Sequence, residues 1–261
     1  MAKKMNIRGQ MVLWIVLALF LVVAILLFSF TGKKLKVIDQ SILHPGSAIE
    51  SCAREAVEEM SDKILPQGGF AEPKHYKLYK NVKVEYLCDN LGYFSPCSQQ
   101  HPLFLEDMRL TLENYVKEKA DGCFKILKNE YEKRATNVEL RAQAVTLSFG
   151  VGKIYININR TMILKKDGKT LTVDEFPIQM SHPIYSLGSV AVEIANQEAR
   201  YCHFDTLGYS ILSPEFNIKK NVMSDETSIY QIKDVASKKE LQIAIRSCVI
   251  PSVLGSTGEA S

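Results

Sequence analysis

The chain has 261 residues, 46% of them apolar and 23% charged, and its formal net charge of +3 is accounted for by Lys3, Lys4 and Arg8. The rest is balanced, which excludes a nucleic-acid binder, because such a protein concentrates Lys and Arg on its folded part. Six cysteines without a Cys-x-x-Cys pair read as three disulfides in an oxidising compartment rather than as a zinc or redox motif.

Residues 11–30 are apolar apart from Ser29. At ~1.5 Å per helical residue the run reaches ~30 Å, the thickness of a bilayer's hydrocarbon core. A cleavable secretory signal has a shorter apolar core and a small-residue cleavage site, so the run reads as an anchor in the lipid bilayer. Lysines flank it on both sides, Lys3 and Lys4 before it and Lys33, Lys34 and Lys36 after it, and the positive-inside rule gives a tie. Two features break the tie: the even cysteine count, and the sequon Asn159-Arg160-Thr161, usable only outside the cytoplasm. The expected layout is a cytoplasmic N-terminus over 1–10, a transmembrane helix over 11–31, a linker over 32–46, an external domain over 47–250 and a flexible tail over 251–261.

The stretch Arg8-Gly9-Gln10-Met11, a basic residue and a glycine before a long apolar helix, resembles the class III signal peptide of archaeal type IV pilins and pilin-like proteins. That resemblance implies cleavage by a prepilin peptidase between Gly9 and Gln10, with the apolar helix kept on the mature protein and able to self-associate. Pilins also carry an acidic residue early in that helix, and Met11-Val12-Leu13-Trp14-Ile15 has none. The expectation is therefore a membrane-bound monomer or small oligomer rather than a filament. Together with Glu50-Ser51-Cys52 and Gln67-Gly68-Gly69, the layout also looks like a group of single-pass archaeal surface proteins, a likeness that implies a location and no activity.

Behind the anchor, Ser47-Ala48-Ile49-Glu50 is a capping box that predicts a helix start at Ser47. Ile49, Cys52, Ala53, Ala56, Val57, Met60 and Ile64 form its apolar stripe, and Glu50/Arg54, Arg54/Glu58 and Glu59/Lys63 line a solvated face. Pro66 and Gly68-Gly69 stop it. Alternation over 81–88 predicts a strand, and a second helix over about 103–127 turns Leu105, Met108, Leu112, Val116, Ala120, Cys123 and Leu127 inward. Two helices each presenting a cysteine favour a Cys52–Cys123 bridge, the alternative being two buried free thiols. Cys88 with Cys97 would close a short loop, and Cys202 with Cys248 would tie the third helix to the last strand.

From Val138 the period changes to two. Val138, Leu140, Ala142 and Ala144 share a face, and a phase slip at Val145 predicts a bulge. Ile154, Ile156, Ile158, Met162 and Leu164 define the buried face of the next strand, with Asn159 on the face toward water. Asp167-Gly168 marks a hairpin, and Pro177 in the returning strand implies an edge or a break. A helix over about 184–199 and two strands paired across 236–239 complete an α+β domain, an antiparallel meander packed with about three helices.

Chemical motifs are sparse. Cys88, Cys97 and His101 resemble the start of a zinc site without a second ligand pair, so no metal is assigned. Cys202-His203 could pair a nucleophile with a base, but adjacent residues at a helix end point apart, and a bridge cysteine beside a surface histidine fits better. Tyr76, Tyr79, Tyr86, Tyr93 and Phe94 are either a binding surface or aromatic residues filling a sheet. No nucleophile elbow, phosphate loop, dinucleotide fingerprint or zincin motif occurs, so no cofactor or catalytic residue is assigned. The expectation is a membrane-anchored cell-surface structural or interaction protein. The alternatives are a pilin-like filament subunit and a tethered extracellular hydrolase with a scattered site.

Overall fold

A computed structural model describes residues 19–22, 45–90, 92, 95–134 and 136–247. The chain divides into two compact units, Met1–Ala48 and Ile49–Ser261. In the first, residues 19–22 form a helical turn with all four side chains exposed. Among the described residues no helix is long and apolar enough to cross a membrane, and the span expected over 11–31 lies outside them apart from that turn.

In chain order the elements are α1 (Pro45–Ile64), a 3-10 turn (Leu65–Gln67), β1 (Tyr76–Tyr79), β2 (Val82–Asp89), β3 (Ser98–Gln99), α2 (Phe104–Glu132), β4 (Asn137–Gly150), β5 (Lys153–Lys166), β6 (Lys169–Ser181), α3 (Ile184–Tyr201), α4 (Thr206–Leu212), β7 (Phe216–Val222), β8 (Ser228–Asp234) and β9 (Glu240–Ile245). The α+β class is as expected, but the strands form two sheets rather than a single meander. One is a three-stranded antiparallel sheet ordered β4-β5-β6, and the other runs β1-β2-β9-β8-β7 with β3 added to β2. In the larger sheet β2 and β9 pair in parallel, a long-range pairing with no local sequence signal. β1, α4 and β7 were not expected either.

α1 begins at Pro45, two residues before the expected start, since proline suits a first helical turn. Of its expected stripe, Ile49, Ala53, Ala56, Val57, Met60 and Ile64 are buried, while Cys52 is half-buried, placed at the stripe's margin where it bridges to Cys123. Its charged face is not merely solvated. Glu59 meets Lys119 of α2 at 2.9 Å, and Glu58 lies 2.6 Å from Lys239, reached from the β8–β9 turn. Gly68 and Gly69 end the first segment at φ +79° and +87°, and a Cβ on Gly69 would stand 2.7 Å from the Phe104 ring.

α2 buries Phe104, Met108, Leu112, Val116, Ala120, Phe124 and Leu127. Leu105 and Cys123, expected inside, are half-buried, because the stripe runs through the neighbouring aromatic positions. α2 meets α3 where Gly188 leaves room: a Cβ there would come 2.6 Å from Leu105 Cδ2. α3 buries Leu187, Ala191, Ile194 and Ala195 as expected and packs on β2, β8 and β9. The opposite face of that sheet carries a smaller core of Val84, Tyr86, Ile229 and Ala244.

In the three-stranded sheet the Asp167-Gly168 turn forms with both residues at positive φ, and of the two alternatives for Pro177 the structure shows the edge: β6 is an edge strand that runs unbroken through Pro177, opposite Asn157. The phase slip falls between Leu140 and Gln143, earlier than expected, so Ala142 and Ala144 are exposed and Val145 and Leu147 buried. At the same level β5 also shifts register, between Asn159 and Met162. The inward position there belongs to Arg160, which bonds Asp121 and Gln143 at 2.7 Å each and lies over the Phe124 ring. Asn159 is half-buried on the central strand, opposite Ala144 and Glu175, with its Oδ1 buried. The expectation that its side chain stands free in water is corrected by those flanking strands.

Candidate functional site

The sequence-predicted residues separate into structural roles. Cys52 is bridged to Cys123 and Cys88 to Cys97, with Cα atoms 6.6 and 5.4 Å apart, within reach of a disulfide. Cys202 is disulfide-bonded too; Cys248, its expected partner, lies outside the described residues, as do Gly9 and Gln10. His101 is not a ligand beside Cys97: its Nε2 lies 3.3 Å from Glu85 Oε1, and its ring meets Phe70. His203 is exposed. Tyr76 lies exposed under Lys83, Tyr79 is half-buried, and Tyr86 is buried with its hydroxyl 2.8 Å from Thr227, so these tyrosines form no common surface. Tyr93 and Phe94 lie outside the described residues.

Sequence reading missed two buried carboxylates on β2, each paired with a histidine. Glu85 accepts from the backbone N–H of Lys74 at 2.7 Å and of His75 at 3.0 Å and faces His101. Asp89 lies 2.8 Å from His75 Nε2 and takes two bonds from Arg246, at 2.7 and 3.0 Å. The bonds that Arg246 donates to Asp89 hold its guanidinium above its already high ordinary range, against burial. Every carboxylate oxygen here is engaged by at least one donor of the protein itself. The cluster clamps the 70–76 segment and the end of β9 onto β2. Among the described residues no group of three or more His, Cys, Asp and Glu side chains is arranged to hold a metal ion.

A second missed feature is a cavity of about 540 Å³ where the ends of β6 and β8 approach the first turn of α3, and α4 with the start of β7 closes the side. That is a volume typical of small-ligand sites. His182, 3% exposed, follows β6 directly and lines it. Its Nδ1 accepts the Ile184 N–H at 3.1 Å, which satisfies one of the free donors at the start of α3. A ring nitrogen that accepts carries no proton, so the neutral ring keeps its hydrogen on Nε2, and that atom is buried without a partner. Burial lowers the His182 pKa to about 4, with Glu58 and Asp62 opposing and Lys239 adding to the shift. His182 is therefore a neutral hydrogen-bond donor at physiological pH, not a general base. Tyr185, Tyr209, Glu215, Phe216 and Asp234 are among the other walls. A single histidine after a strand has no periodic signature, and its burial comes from elements distant in sequence.

The chain matches no family model, no curated protein and no solved structure.

Proposed function

We propose that the chain is a membrane-anchored cell-surface interaction or structural protein, held by the apolar run over 11–30 with a short cytoplasmic N-terminus and its α+β domain outside. The observation that carries the reading is that every cysteine among the described residues is disulfide-bonded. Bridges persist where no reducing buffer removes them, which favours an external domain. One bridge joins two helices and another closes a hairpin-like loop, so both serve a rigid scaffold that presents surface rather than a redox site. The bilayer is the first partner, and a prepilin peptidase acting between Gly9 and Gln10 is the second.

Thiol alkylation of the intact, unreduced protein tests this reading. Modification of none of the six cysteines is expected, whereas six reactive thiols would place the domain in the cytoplasm and overturn it. The pilin-like reading is kept by Arg8-Gly9-Gln10. N-terminal sequencing that starts at Gln10, together with filaments containing this chain in electron micrographs of shed surface material, would replace the monomer with a filament subunit.

A further inference from the structure

We propose that the cavity lined by His182 binds a cationic side chain, ammonium or guanidinium, borne on a group that accepts a hydrogen bond from the imidazole. This goes beyond the surface-module reading and does not depend on which side of the membrane the domain occupies.

Charge sets the first requirement. Glu215 and Asp234 are in the wall and no Lys or Arg is. Asp234 uses its Oδ1 to hold the Ser237 N–H and hydroxyl, which fixes that carboxylate at the rim. Burial first, and then the charges of Glu193 and Glu215, keep the Tyr209 hydroxyl protonated beyond its ordinary range, against a bond with Ser213. Lys239, the cation that acts on the His182 ring, is paired with Glu58 and Asp62, so the charge left facing the cavity is that of Glu215 and Asp234, and an anion is repelled.

Shape and polarity set the second. Tyr185 and Tyr209 supply aromatic surface of the kind that attracts ammonium and guanidinium groups, and Val190 and Phe216 supply apolar surface for the methylene stem of a long basic side chain. The His182 Nε2–H needs an acceptor, because a buried donor left unpaired is costly. A lysine or arginine residue with its amide groups in place offers all three: charge, apolar stem and carbonyl oxygen. The same chemistry is offered by a single basic amino-acid unit or by a basic residue within a polypeptide.

Calorimetric titration of the full-length chain in detergent tests the proposal. The probes are the N-acetyl methylamides of lysine, arginine, norleucine and glutamate, and a glycine-flanked lysine pentapeptide. Lysine and arginine should bind about fivefold or more tighter than norleucine, the neutral isostere, with glutamate weakest. Glu215→Gln, at an exposed position, should remove that preference. A pentapeptide that binds tighter than the lysine derivative assigns the site to polypeptides, and equal affinity assigns it to a single basic unit. No binding by any probe, equal binding of lysine and norleucine, or an unchanged preference in Glu215→Gln overturns the proposal.

Discussion

Acidification should weaken the folded state through His182. In the unfolded chain this ring takes its proton near 6.5, and in the folded protein only near 4. Above pH 6.5 the ring is neutral in both states and costs nothing. Below it the unfolded chain binds the proton first, so stability falls as the pH drops from about 6.5 to about 4 and levels off below that. Linkage puts the loss at roughly 2 kcal/mol by pH 5 and roughly 3 kcal/mol by pH 4. Burial of the ring is the chief cause, and a proton on Nδ1 would in addition set one donor against another at the Ile184 N–H. Glu58 and Asp62 face the ring and soften the loss, and Lys239, paired with both, offsets them. The assay is guanidinium unfolding of the detergent-solubilised full-length chain at pH 7, 5.5 and 4.5, beside His182→Asn. Asparagine keeps an acceptor near the Nδ1 position and does not titrate. The variant should start less stable at pH 7 and lose less on acidification, with the two curves converging. Parallel curves for the two proteins would refute the reasoning.

The bridge Cys52–Cys123 spans 71 residues and Cys88–Cys97 nine. In the loop-entropy model their removal by paired alanine substitution lowers stability by about 4 and about 3 kcal/mol, and denaturant midpoints in the reverse order would count against that model here. Gly69→Ala places a Cβ on the buried Phe104 ring at positive φ, and a loss of about 2–4 kcal/mol in unfolding free energy is expected. Glu198, 1% exposed, bonds the buried Tyr230 hydroxyl and lies 2.9 Å from Lys220. Glu198→Ala leaves both without their acceptor and should cost about 3–5 kcal/mol, seen as a lower thermal midpoint, with Glu198→Gln milder because it still accepts from the tyrosine. An unchanged midpoint in Glu198→Ala would show that Tyr230 finds water instead.

The three long helices were legible because each has one face turned to the same core for several turns. The stripe of α3 came out residue by residue, that of α1 did so apart from the half-buried Cys52, and α2 shifted where Phe104 and Phe124 displaced Leu105 and Cys123. The β5–β6 hairpin was legible for a different reason, since Asp167-Gly168 suits a turn in which both residues take positive φ. The Cys52–Cys123 bridge followed from one cysteine on each of two such helices. Periodicity, however, says which side of an element avoids water and nothing about which element covers it. The split into two sheets and the parallel pairing of β2 with β9 join segments far apart in sequence, and their selection rests on total burial. The same limit hid the charges: Glu58 and Glu59 find their lysines on other elements, and Arg160 takes an inward place because Asp121 and Gln143 wait there. The cavity was least legible of all. Its walls come from the ends of β6 and β8, the starts of α3 and β7, and α4, and His182 became a neutral donor only when the tertiary fold closed water out and set the first N–H of α3 against its Nδ1.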